Sequence, residues 1–311
     1  MIDKLYSPCR LCPKLCGTDR LSGSLGFCGT GTGISMASAV LHRGEEPPIS
    51  GEKGSGTIFF TGCTLQCGYC QNWQLSHAAS YMGVTVSTDE FVMICLELQK
   101  RGAENINLVT GTHQIPAIIQ GISMAEEQGL SIPIVWNSSG YERTEILEHI
   151  NPFIDIYLID IKTLDRRIAA QYCGSPSYVD AVTGVIPWIV EQKPIQYERN
   201  RLLQGVIIRH LLVPGEMDAT WEVLAWFAEK FKDHALLSVM LQFINPWDRT
   251  APAGDMETSV IKALEEYAIE DGFIQEVTQD DAWLPDFSQV NPFPQEYSSP
   301  VWHWKSAFLG S

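Results

Sequence analysis

GTIFFTGCTLQCGYCQN, residues 56–72, joins two kinds of sequence. The first seven residues are a short apolar run of strand-forming type that ends in Gly62. The remainder carries Cys63, Cys67 and Cys70 as C-x3-C-x2-C, with Tyr69 directly before the third thiol. Three thiols just past the end of a strand read as metal ligands in a chain that has nine cysteines in all. A tetrahedral site takes four ligands, so one position is left for something else.

Bulk properties decide between metal and disulfide. The 311 residues are 45% hydrophobic and 19% charged, values of a globular protein with a sizeable core. A formal charge of −16 and the lack of a long basic patch argue against a nucleic-acid surface. The start, MIDKLYSPCR, has no basic residues leading into an apolar run, and no stretch approaches the about 18 apolar residues of a membrane span. The expectation is a cytoplasmic protein that binds neither nucleic acid nor membrane. In a reducing compartment clustered cysteines are metal or redox ligands before they are disulfides.

Outward from the cysteine run, the chain divides into three parts. Residues 1–54 form a cysteine- and glycine-rich segment and linker with one strand-like piece, ISMASAVLH. Residues 55–278 alternate apolar strands with helical patterns. The strands are GTIFFTG, NINLVTG, IPIVWN, IDIYLIDIK, GVIIRHLLV and LLSVMLQFI. Phe91, Val92, Cys95 and Leu96 share a helical face after a cap at Ser87 or Thr88, and Ile115, Ile118, Ile119 and Ile122 repeat that spacing. Near-continuous apolar strands separated by helices make a parallel sheet, hence an α/β fold. Six units are too few for a closed eight-stranded barrel, so a partial (βα)6 barrel is expected, with a doubly wound flat sheet as the alternative. Residues 279–311, rich in aromatics (Trp283, Phe287, Trp302, Trp304) and proline, lack periodicity and are expected to pack on the barrel or lid it.

In either architecture chemistry gathers at the C-terminal ends of the strands. The polar residues there are Cys63, Thr110, Thr112, Asn137, Asp160, Lys162, Arg209, His210 and Gln242. Asp160 and Lys162 lie two apart on one strand and so face one side, where two buried charges need each other or a ligand.

C-x3-C-x2-C with an aromatic before its third cysteine, after the first barrel strand, resembles the radical S-adenosylmethionine (SAM) superfamily. The words HRGEEPPISGEKGSGTIFF, CQNW, NINLVTGTH, NSSGYE, IYLIDIK and IIRHLLVPG resemble its pyruvate formate-lyase activating enzyme-like branch, in a subgroup with an extra N-terminal cysteine cluster. This resemblance runs from Cys9 to about residue 277. It implies that Cys63, Cys67 and Cys70 hold three irons of a [4Fe–4S] cluster and that SAM chelates the fourth. It implies Lys162 on the SAM carboxylate, Asp160 organising the site, and His210 as the inward member of the Arg209–His210 pair. Tyr69, Asn137, Ser139 and Gln242 complete the cofactor-facing set. At the second strand the sequence departs from the Gly-Gly-Glu of many members: Thr110, Gly111 and Thr112 offer only hydroxyl and backbone acceptors to the SAM ammonium. His42, Glu45 and Glu46 either support the cluster loop or form a solvated turn.

Cys9, Cys12, Cys16 and Cys28 make a second set, C-x2-C-x3-C-x11-C, which closes a four-thiolate site for zinc or for an auxiliary iron–sulfur cluster. Cys95 reads as a core residue, and Cys173 as the one loose thiol that could give a hydrogen atom. The enzyme implied is an oxidoreductase that reductively cleaves SAM to a 5′-deoxyadenosyl radical and abstracts hydrogen from a substrate. Activation of a glycyl-radical enzyme is one substrate reading, and an epimerase or cyclase acting on a small molecule or peptide is another. An iron–sulfur electron carrier or zinc interaction module is the non-enzymatic reading. The family also implies a flavodoxin- or ferredoxin-like electron donor.

Overall fold

A computed structural model describes residues 2–77, 82–213, 215–244, 256–275 and 284–309. Its strands are β1 (Ile34–His42), β2 (Ser55–Phe60), β3 (Val84–Val86), β4 (Ile106–Val109), β5 (Ile134–Ser138) and β6 (Ile156–Asp160), followed by β7 (Gln196–Glu198), β8 (Arg201–Leu211), β9 (Leu236–Met240), β10 (Gly272–Gln275), β11 (Ser298–His303) and β12 (Ala307–Phe308). The helices are α1 (Pro47–Ser50), α2 (Trp73–Ser76), α3 (Thr88–Lys100), α4 (Ile115–Glu127), α5 (Thr144–Ile150), α6 (Arg166–Tyr172), α7 (Tyr178–Gln192), α8 (Met217–Lys230) and α9 (Met256–Glu266).

The strand order β10-β9-β8-β6-β5-β4-β2-β1-β11-β12 rejects the doubly wound alternative. Parallel pairing runs in one direction from β2 to β10 without the reversal that a doubly wound sheet shows at its switch point. Among the described residues the two ends of the sheet do not pair, so the fold is a partial barrel. β10 extends the six expected parallel strands; its sequence, GFIQ, is too short to stand out by pattern. Antiparallel strands extend the sheet: β3 pairs with β1, β12 with β11 and β7 with β8. β1 pairs with β2, and β11 pairs with β1. The tail expected to be irregular therefore supplies a strand: β11 reads as aperiodic because its partner and the packing at the sheet margin dictate its conformation. Trp283 lies outside the described residues.

Period-two alternation sorts the side chains into two layers. Tyr157, Ile159, Val206 and Ile208 face outward to the main core with the helices. Val135, Ile156, Leu158, Ile207 and Leu236 face inward and, with Ile49 of α1, form a dry plug across the barrel interior. α3 starts where expected, with Ser87 Oγ accepting from Glu90 N–H at 3.1 Å, and Cys95 is fully buried in its core face. Among the described residues no helix is long and apolar enough to cross a membrane.

Candidate active site

Above the plug the same inward rows turn polar. Asn137, Asp160 and Arg209 each lie two residues beyond an inward apolar position, and Asp160 is in register with Arg209. They line a cavity of about 240 Å³ with Cys63, Cys67, Cys70, Tyr69, Thr110, Ser139, Lys162 and Gln242. Ten of the expected site residues thus meet in one place. Three buried polar atoms on its walls, His42 Nδ1, Gln71 Nε2 and Gln242 Oε1, have no partner among the described residues, as expected of a wall that faces a polar ligand.

The cysteine loop starts at Gly62, whose φ is +87° and whose absent Cβ would lie 2.7 Å from the Cys28 carbonyl. Only glycine accepts both demands. Gln66 also takes a left-handed conformation, which brings the N–H groups of Leu65 and Gln66 to 3.4 Å from Cys63 Sγ. Backbone donors aimed at a sulfur suit a metal-bound thiolate. Burial, then the neighbouring Cys67 and Cys70, push the Cys63 thiol up to about 12, so three thiolates here would need a cationic metal beside them. No three His, Cys, Asp or Glu among the described residues are grouped for a single metal ion. A cluster with irons at separate corners asks for separated thiols, and this donor set fits one.

One ion network spans the cavity floor. Asp160 holds Lys162 Nζ at 2.6 Å and Arg209 Nε at 2.7 Å. Arg209 reaches on to Glu45 at 3.0 Å and Asn137 at 2.7 Å, and Asn107 donates to Glu45 at 2.8 Å. Burial opposes the Asp160 charge, but Arg209 and Lys162 outweigh it and hold the carboxyl down at about 2. Burial likewise opposes the Lys162 ammonium, and Asp160 outweighs it, so the lysine stays charged. Glu45 and Glu46 are raised by burial, against the pull of Arg209. From α7, the Tyr178 hydroxyl donates to Ser139 and Asp160 carbonyls and accepts from Lys162 N–H at 2.8 Å, bracing two strand ends together.

Four expectations fail on direction. His210 points outward: its Nδ1–H donates to the Ile161 carbonyl at 2.8 Å, and Nε2 accepts from Thr220 of α8 at 3.1 Å. Burial lowers its pKa to about 4, so it is a neutral structural histidine. Arg209 is the inward neighbour, because it shares the alternation of Ile207. Thr112 turns away and donates to Glu142 at 2.7 Å, within a buried cluster that also ties Trp136 and Ser138 to Glu142. At Gly111 an added Cβ would strike Ile118 and Trp136, on the helix side of the sheet. Cys173 is 1% exposed and does not line the cavity, so it faces no substrate there. Conversely, His42 and Glu45 line the cavity and form no solvated turn, and Phe293 from the tail joins them, with its ring centroid 4.6 Å from that of His42.

The N-terminal quartet sits against this loop. Gln66 Nε2 donates to the Phe27 carbonyl at 3.0 Å. Arg20, 2% exposed, lies 4.5 Å over the Tyr6 ring and points Nη1 at Cys9 Sγ, 3.8 Å away, and at the His113 carbonyl. Thr30 Oγ1 is 3.2 Å from Cys28 Sγ. Partial burial opposes a Cys16 thiolate, yet hydrogen bonds from Phe27, Thr18 and Cys9 outweigh it and lower the pKa to about 7. These four thiols lie along one segment with a buried cation beside them, but among the described residues no three of them are grouped for a single metal ion.

Residues 57–228 match the family described as the Radical SAM superfamily. An uncharacterized protein of Methanocaldococcus jannaschii is 28% identical over 251 residues, covering 77% of this chain and 67% of its own. A radical SAM methyltransferase from Sphaerobacter thermophilus superposes with a TM-score of 0.52 at 13% identity, over 73% of this chain and 68% of that one, a likeness of fold. Streptococcus suis SuiB bound to S-adenosylmethionine gives 0.49 at 14% identity over 69% of this chain. The match takes in 48% of SuiB, so this chain spans about half the length of that protein.

Proposed function

Because the chain belongs to the radical SAM superfamily, we propose that it cleaves SAM reductively and abstracts a hydrogen atom from a substrate bound over the barrel mouth. The supporting observation is that the three thiols of the C-x3-C-x2-C loop share one cavity with Lys162, Asn137, Ser139 and Gln242 at the C-terminal ends of the parallel strands. Cys63, Cys67 and Cys70 would hold a [4Fe–4S] cluster, which would supply the electron for reductive cleavage of SAM.

The chain's own residues supply orientation and exclusion of water. Lys162 Nζ, aimed by Asp160, binds the SAM carboxylate, and Arg209 holds Asp160 in that role. The Thr110 hydroxyl and neighbouring carbonyls accept from the ammonium, where many relatives use a carboxylate. Asn137 and Ser139 bind the ribose, and Gln242 Oε1 accepts a further hydrogen bond. Tyr69, whose ring lies within 6.1 Å of Tyr172 and 6.0 Å of Phe243, seals the cluster side from water.

A flavodoxin- or ferredoxin-like donor provides the electron. Within the superfamily the chain joins the pyruvate formate-lyase activating enzyme-like branch, with a glycine of a partner protein as the hydrogen source. An epimerase would need a second hydrogen donor, and among the described residues the cavity's thiols are Cys63, Cys67 and Cys70. Cys9, Cys12, Cys16 and Cys28 hold a second metal centre, zinc or iron–sulfur, that staples residues 1–54 to the barrel at 55–278, with 279–311 packed over it.

Anaerobic reconstitution with iron, sulfide and zinc analysis, then reduction with SAM, tests this reading. Wild type and Cys12→Ala should yield 5′-deoxyadenosine and Cys67→Ala none. A wild type that carries intact clusters and yields none would refute it.

A further inference from the structure

The cysteine loop has two sides. Cys63, Leu65, Cys67, Tyr69 and Cys70 line the cavity, and none of the described residues 2–33 does. Gln66, left-handed at φ +58°, faces the other way and donates Nε2–H to the Phe27 carbonyl at 3.0 Å. The surface on that outer side is unlike the rest of the molecule. Leu15, Leu21, Leu25 and Phe27 are 52%, 57%, 61% and 45% exposed. Among the described residues eleven large apolar side chains are exposed, and these four fall within thirteen positions. Single exposed apolar residues need no explanation, but a group on one short segment does. Charge is reversed there too. Residues 1–33 carry Lys4, Arg10, Lys14 and Arg20 against Asp3 and Asp19, in a chain with 21 basic and 37 acidic residues. Arg20 is buried, and Arg10 is exposed. Lys14 Nζ stands 4.5 Å over the Phe27 ring and 5.9 Å from the Tyr141 ring, and Arg143 Nη1 donates to the Arg10 carbonyl at 2.6 Å. The loop after β5 thus holds both basic residues beside Phe27.

We propose that this outer face, with Leu15, Leu25 and Phe27 as its apolar part and Arg10 and Lys14 as its basic part, docks a small acidic one-electron carrier protein and admits the electron to the iron–sulfur centre. The proposal rests on the reading of Cys63, Cys67 and Cys70 as cluster ligands. The step moves one electron: the carrier is oxidised, the cluster is reduced, and no bond forms or breaks. A carrier must bring its redox group close to the loop without entering the cavity, where SAM and substrate sit. The outer face offers that approach. Gln66 is the chain neighbour of Cys67, so the exposed Phe27 is one hydrogen bond away from the residue beside a ligand. Apolar side chains with charged ones around them make a protein-binding face. The negative charge carried by the rest of the chain disfavours an acidic carrier elsewhere and steers it to this basic segment.

The test is stopped-flow reduction of the full chain, reconstituted and with its iron and sulfide counted. The reductants are flavodoxin hydroquinone, reduced ferredoxin and, as one that needs no docking, dithionite. Wild type should take the electron from at least one carrier, at a rate that falls as salt is raised. Leu25→Glu and Lys14→Glu should each lower that rate constant about tenfold or more, and Lys14→Arg should stay within about twofold of wild type. Met93→Glu adds the same charge at a similarly exposed apolar residue of α3 and should behave as wild type. Dithionite should reduce every variant as it does wild type. If Leu25→Glu assembles no cluster, Leu21→Glu takes its place. Wild-type rates in both glutamate variants of the face, an equal loss in Met93→Glu, or an equal loss with dithionite overturns the proposal. So does a wild type that dithionite reduces and neither carrier does. A wild-type dimer in sedimentation that Leu25→Glu separates gives the face to a second copy and also overturns it. A wild type with no cluster that dithionite can reduce instead defeats the ligand reading on which the proposal stands.

Discussion

At neutral pH Glu46 either ionises inside the barrel or carries a proton there. It is 1% exposed, beside Ser238, Arg209 and Glu45, and burial raises its pKa above 4.5. Because the folded value lies above the unfolded one, folding takes up a proton, and stability falls as pH rises past the glutamate range. Asp160 has the opposite sign: held at about 2 against 3.8, its contribution is present above pH 3.8 and is lost as pH falls toward 2. Glu46→Gln removes the first dependence alone. The variant should be more stable than wild type at pH 7 to 8, with the gap closing toward pH 4.5. The difference can change by at most about 1.4 kcal/mol per pH unit, the limit for one proton. Denaturant unfolding across that range measures it, and parallel curves would show that Glu46 is ionised without cost.

Among elements, the cysteine loop depends on one position for its shape. At Gly62 a methyl group meets both an unfavourable φ and the Cys28 carbonyl. Gly62→Ala should cost roughly 1–3 kcal/mol and free the N-terminal segment from the loop. Faster proteolysis within residues 9–30, with the barrel still intact, is the expected sign; wild-type resistance would mean that the contact yields without strain. The same loop shows what could be read from sequence. The thiol spacing, the strands behind it and the Asp160–Lys162 pair are local patterns, and each is visible in a few residues. Which of Arg209 and His210 points inward depends on the register of β8 in the sheet, which adjacent residues of equal polarity do not reveal. Ile207 and Ile208 precede them as equally apolar neighbours, so only the fold, which turns Ile207 inward, selects Arg209. Thr112 and Gly111 failed for a related reason: the chain leaves β4 at Thr110, φ +62°, and turns its next residues toward the helices. Phe293 joins His42 at the site, and β11 joins β1 in the sheet, across more than 200 positions, beyond any short-range pattern.

Over the whole molecule, the tail completes the sheet that carries the site. Trp302 of β11 is 2% exposed, pairs with Ala39 of β1, and donates Nε1–H to Glu90 at the start of α3. Trp302→Ala should cost roughly 3–5 kcal/mol, read by denaturant unfolding, through the cavity it leaves and the lost hydrogen bond. A loss under about 1 kcal/mol would mean that β11 is held by its backbone alone. The β1–β11 pairing has another side. The Arg43–Ser299 hydrogen bond beside it spans 256 positions. At ribosomal rates of 5–20 residues per second, β1 waits roughly 10–50 s for its partner. Throughout that wait a nearly all-buried strand shows an open, hydrogen-bonding edge to its surroundings. Heavy expression multiplies neighbouring nascent chains in the same condition. The yield of soluble protein should therefore depend on translation speed and chaperone supply even where the finished fold is stable.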